Sequence, residues 1–170
     1  MPETSEQYKQ RIMGFVAGKN PIKVQASTAA QLEKLIKGVP KARLTKRPAP
    51  GKWSVAEILA HIADTEIVTG YRMRSILGAP GTPIAAFDQD KWAEAEYYGK
   101  QDPRLSLEVY RTVREANLRL LKSLRSEQWK HFGMHAERGE ESIERISQLM
   151  AGHDLNHVEQ IVAILAPKKK

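Results

Sequence analysis

The chain has 170 residues, 27 Lys and Arg against 20 Asp and Glu, a formal charge of +7, a 41% hydrophobic fraction, five histidines and no cysteine. That length suits one domain, 1–170, with a substantial core. The lack of cysteine excludes disulfides, thiolate metal sites and cysteine nucleophiles, and it suits a cytoplasmic location. The opening MPETSEQYKQ has no apolar signal core, and no stretch approaches the ~20 apolar residues of a membrane span, so a soluble protein without a membrane partner is expected. Basic residues are interleaved with acids and carry no RNA- or DNA-binding signature, so no specific nucleic-acid partner is expected, and Lys168, Lys169 and Lys170 read as a frayed end.

Four strong helices are predicted in chain order. A short amphipathic piece at 8–16 precedes the first, 22–36, where Gln25, Ala29, Leu32, Leu35 and Ile36 recur at helical spacing and Gly38 with Pro40 supplies the stop. The basic LTKRPAPGK crosses to the second, 55–77, which opens with Ser54 and Glu57 at capping-box spacing. GAPGTP ends it and is a turn rather than a phosphate cradle, since no strand precedes it and no Gly-Lys-Ser/Thr run follows. A partly helical insert at 87–98 leads to the third helix, 106–124, then a loop at 129–139, then the fourth helix, 142–165. Nothing reads as a strand, so the fold class is all-α, a four-helix bundle with long loops and short additional helices.

The fourth helix carries the most informative feature. His153 and His157 stand four residues apart in AGHDLNHVEQIVAIL, on the same sector as Ile143, Ile146, Met150, Ile161 and Ile164. Two imidazoles buried together need carbonyls, carboxylates or a metal ion. His61 lies on the flank of the apolar stripe of the second helix. It reads either as a further ligand or as a half-buried histidine bonded to a neighbouring helix. Glu66 projects inward on that helix and is a candidate fourth ligand, general base or partner fixing a histidine tautomer. Asp154 is turned about 100° from His153, towards the surface or a supporting role. Tyr110, Arg114 and Asn117 share a face of the third helix and read as approaching the ion or as a bundle-edge packing layer. Gln160 is placed to line the pocket or bond a histidine, His131 and His135 read as surface loop histidines, Trp53 and Trp129 as core plugs, and Trp92 as a pocket cover.

PAPGKWSVAEILAHIADTE, followed much later by GHDLNHVEQI, resembles the DinB-like, or YfiT-like, superfamily of four-helix bundles, over roughly residues 22–165. The resemblance implies that His61, His153 and His157 bind a divalent metal ion, zinc or nickel, and that the protein acts on a small molecule. It implies no single reaction, since members include thiol-dependent S-transferases and proteins named as hydrolases. A three-histidine set leaves an ion charged and open to water or a low-molecular-weight thiol, so a metal-dependent transferase or hydrolase is expected, with thiol transfer slightly ahead. The rival reading is a noncatalytic metal- or ligand-binding bundle. Trp92, Tyr97 and Tyr98 in the insert mark a homodimer contact.

Overall fold

A computed structural model describes residues 4–167, and Lys168, Lys169 and Lys170 lie outside them. The helices are α1 (Ser5–Val16), α2 (Pro21–Ile36), α3 (Lys41–Leu44), α4 (Val55–Gly78), α5 (Gln89–Ala95), α6 (Pro103–Ser123) and α7 (Ile143–Leu165). The caps are those the sequence chemistry favours. Asn20, Ser54, Asp102 and Ser142 each accept a hydrogen bond from the first turn of the helix they precede, and Pro21 and Pro103 open α2 and α6, where a missing N–H goes unnoticed.

The four long helices form a ring in which α2 packs on α7, α7 on α4, α4 on α6, and α6 on α2. Two apolar clusters occupy its ends. One gathers Leu32, Ile36, Ile58, Leu59, Leu107 and Ile161; the other gathers Met73, Ile76, Leu121, Ile143, Ile146 and Met150. Their order along each chain segment gives the directions. α4 and α6 run from the first cluster to the second, while α7 runs the other way, as does α2, whose Ile22 packs on the second cluster. Two parallel neighbours, α4 and α6, require a connection that returns the length of the bundle, and residues 79–102 supply it. Between the two clusters lies a layer of buried polar side chains.

The expectation of no strands is corrected. β1 (Pro83–Ile84), β2 (Phe132–His135) and β3 (Gly139–Ser142) form a sheet in that order, β1–β2 parallel and β2–β3 antiparallel, with Pro83 opposite Met134 and Phe132 opposite Ser142. Strands of two to four residues are too short to display an alternating pattern, and Gly139, at φ 74°, closes the hairpin in a conformation that side chains resist. His135 consequently lies in β2 and is buried, against the surface-loop reading. Tyr98 is likewise buried and donates to Asp64 Oδ2 at 2.5 Å, which removes it from the expected dimer contact and leaves Trp92 and Tyr97 exposed. No helix among the described residues is long and apolar enough to cross a membrane.

α1 lies along α7, and the approach is unusually close at Gly152. A Cβ there would stand 2.1 Å from the Ile12 carbonyl oxygen, a backbone atom that cannot step aside. Gly152→Ala is therefore expected to lower stability by about 1–3 kcal/mol through overpacking. Hydrogen exchange should show the loss concentrated in α1, and an unchanged melting curve would contradict the close packing.

Candidate metal centre

The start of α4 is fixed before its histidine appears. Ser54 and Glu57 form a reciprocal capping box, and Arg47 in the preceding basic segment donates to Glu57 Oε1 at 3.0 Å, so the buried carboxylate anchors both helix and approach. Burial alone would raise the pKa of Glu57, but hydrogen bonds from Arg47 and Ser54 outweigh it and leave the group below its ordinary range. Two turns on, His61 enters the interior beside Trp53, ring centroids 4.9 Å apart.

There it meets the two histidines of α7. His153 Nε2 lies 3.0 Å from His61 Nε2 and 3.0 Å from His157 Nε2, and the three nitrogens fall within 4.8 Å of one another. His157 Nδ1 faces Gln160 Oε1 at 2.9 Å. An amide oxygen can only accept, so Nδ1 carries the proton and Nε2 turns a lone pair inward. The single Nε2 site of His153 cannot give both of its neighbours a proper hydrogen bond in any tautomer, whereas a cation at the centre satisfies three lone pairs at once. Adjacent nitrogens of a tetrahedral zinc shell stand about 3.3 Å apart, close to the spacing seen, so the donor set fits a divalent ion.

Burial keeps the rings neutral. It pushes His153 well below the ordinary imidazole value of 6.5, aided by His157, His61 and Arg114. It does the same to His61, aided by His157, and takes His157 down to about 4 against the opposing hydrogen bond to Gln160. Neutral imidazole is the form that ligates.

Glu66 and Asp154 do not join this group. Arg114, 2% exposed, reaches from α6 between them, donating to Glu66 Oε2 at 2.7 Å and forming a two-pronged pair with Asp154, Nη2 to Oδ1 at 3.0 Å. Asn117 donates to Glu66 Oε1 at 2.7 Å, and Asp154 accepts from Tyr110 at 3.0 Å and Thr28 at 3.2 Å. Asp154 is 1% exposed, which excludes the surface alternative and leaves the supporting one, and Tyr110, Arg114 and Asn117 form a buried polar network rather than a bundle-edge packing layer. Gln25 and Thr28 of α2 belong to the same layer. Their place on the apolar face of that helix was the available signal.

Two cavities flank the histidines. One, of about 660 Å³, reaches His157; the other, of about 440 Å³, reaches His61 and His153; Tyr8 and Gln89 line both. Phe87, rather than Trp92, lines the second, and Trp92 packs on Phe87 at 5.1 Å.

Comparison with known proteins gives a coherent neighbourhood. A family model described as the DinB superfamily matches residues 26–161. A Bacillus cereus protein named "putative metal-dependent hydrolase" is 25% identical over 134 residues, covering 79% of this chain and 77% of its own; one from Oceanobacillus iheyensis with the same designation is 27% identical over 127, covering 72% and 70%. In fold, the chain is similar to YfiT from Bacillus subtilis, described as "a probable metal-dependent hydrolase with an unusual four-helix bundle topology", with TM-score 0.75, 21% identity and coverage of 94% and 88%. It is also similar to the mycothiol-dependent maleylpyruvate isomerase, with TM-score 0.63, 12% identity and coverage of 88% of this chain and 61% of that one.

Two outcomes are expected. Arg114→Ala leaves two buried carboxylates without their cation and should destabilise the fold by about 3–5 kcal/mol in urea titrations, with partial recovery when Glu66→Gln and Asp154→Asn are added. For the chelator-treated protein, the folded histidines lie below 6.5 and the unfolded chain binds protons first. The stability this contributes is intact above about 6.5 and lost as pH falls towards the folded values, about 4 for His157. His157→Gln should make the pH slope shallower by up to about one proton in that window, and an identical slope would contradict the assignment.

Proposed function

This chain belongs to the DinB superfamily, and on that premise we propose that it is a metal-dependent enzyme acting on small molecules, with His61, His153 and His157 holding one divalent ion, zinc or nickel. The observation that carries the reading is the convergence of three buried, neutral imidazole nitrogens without a carboxylate among them. A divalent ion bound there supplies a Lewis acid with a position open to water or an exogenous thiol, whose pKa it lowers. The chain's own residues do the rest. Gln160 fixes the His157 tautomer, Trp53 shields His61 from solvent, and Arg114 keeps both nearby carboxylates turned away from the histidines.

We place transfer of a low-molecular-weight thiol to an electrophile ahead of hydrolysis. Glu66, the candidate base, has its oxygens bonded to Arg114 and Asn117, so we assign it a positioning role rather than proton transfer. A thiolate needs no base once formed, and the two cavities leave room for two reactants. Hydrolysis is the second reading, favoured by the names of the relatives. A single domain over 1–170, a cytoplasmic location and pairing of two copies through Trp92 and Tyr97 complete the proposal.

Chelation is expected to lower the melting temperature and added zinc or nickel to restore it, by about 2.7 kcal/mol when free ion stands at 100 times Kd. His157→Ala should abolish the response. Metal-loaded protein assayed with bacterial thiols plus a chromogenic electrophile, and with ester and amide substrates, should give turnover that His153→Ala lacks. Metal binding without turnover on either panel would move the noncatalytic bundle ahead.

A further inference from the structure

Four residues of α4 line the smaller cavity in sequence: His61, Thr65, Thr69 and Arg72. They follow helical spacing, and eleven residues bring Arg72 back to within about 20° of His61, about 16 Å further along the axis. Across from this stripe lie Ile146 and Met150 of α7, with Phe87 near the Arg72 end, its ring 5.7 Å from the guanidinium carbon. The cavity is thus a slot with the histidines at one end, apolar walls and a cation at the other.

Two of its polar groups lack protein partners suited to them. Thr65, 8% exposed, has a buried hydroxyl with no hydrogen bond. Arg72 donates from Nη2 to the Ala85 carbonyl at 2.5 Å and forms no ion pair among the described residues. The other cations of the slot are paired with acids. Arg138 grips Glu141 at 2.6 and 2.8 Å, Lys9 pairs with Glu6 at 3.0 Å, and Glu137 is exposed. Burial, and then Arg138, lower the pKa of Arg72 more than Glu141 raises it, as expected for a cation lacking an anion.

We propose that this slot binds an elongated small molecule with an apolar middle and a terminal carboxylate, the carboxylate on Arg72, the middle along Thr65 and Thr69, and the reacting group beside His61 and His153. The inference names a substrate class for the site and rests on the metal-dependent reading above for its reacting end alone. A guanidinium in a partly dry slot is well matched to a carboxylate, and the fork of one arginine suits one such group.

The test is titration calorimetry on the full chain, zinc-loaded and chelator-treated. The probes are 3-mercaptopropionate, 6-mercaptohexanoate and 8-mercaptooctanoate, each against the alcohol that replaces its carboxylate. The longer acids should bind zinc-loaded protein about tenfold tighter than their alcohols, and the shortest acid should show no such advantage. Arg72→Gln should erase the preference and Arg72→Lys retain part of it, with melting curves verifying that both fold. Equal affinity of acids and alcohols, or a preference that survives Arg72→Gln, overturns the proposal. If zinc changes the affinity of no thiol, the metal reading fails by itself, and the acid preference of the zinc-free protein with its dependence on Arg72 still decides the carboxylate site.

Discussion

The polar layer depends on one guanidinium sealed from water. Glu66 and Asp154 sit on the two helices that carry the histidines, one five residues beyond His61 and the other adjacent to His153, and neither has an exposed edge. A lone buried carboxylate would be strongly unfavourable in such surroundings. Arg114 answers both at once, and so ties α6 to α4 and to α7 by bonds of fixed direction. Apolar contact alone lets helices slide or rotate over a fraction of a turn. A forked pair tolerates neither, and the angular position of α7 about its axis sets where His153 and His157 point.

The arrangement opposes two tendencies that would spoil a three-nitrogen site. Carboxylates near an ion tend to join it, and imidazoles near carboxylates tend to take up a proton. Holding both acids on Arg114, Tyr110, Thr28 and Asn117 suppresses the first, while burial and the positive charge of Arg114 suppress the second. The apolar clusters at either end of the bundle exclude water from this layer, which makes each of these interactions stronger and each omission more damaging.

Much of this was legible in the residues. The four long helices followed from periodicity and caps, with Ser54 and Glu57 marking the start of α4 to the residue. His153 and His157 announced themselves because four-residue spacing on an apolar face is a local signal. His61 was a candidate only, since a single histidine on the flank of a stripe looks the same whether its partner is a carbonyl or a neighbouring ring, and the resemblance alone favoured the ligand reading. Arg114 was harder still. Its burial depends on acids 40 and 48 positions away, and helical spacing with Tyr110 and Asn117 gives a face without saying what covers it. The sheet escaped because its strands are too short to carry a pattern, and because the β1–β2 pairing joins segments about fifty residues apart.

The separation of His61 from His153 and His157, 92 and 96 positions in the chain, has a kinetic consequence. Until α7 docks against α4, a folding molecule offers an ion one imidazole on one helix and an i, i+4 pair on another. Either is a weak, rapidly exchanging perch. Capture by all three imidazoles would therefore require that long-range closure, which also completes the two cavities, since residues of α7 line both. An ion held there would then be selected by the shape of the closed gap rather than by the avidity of a loose chain.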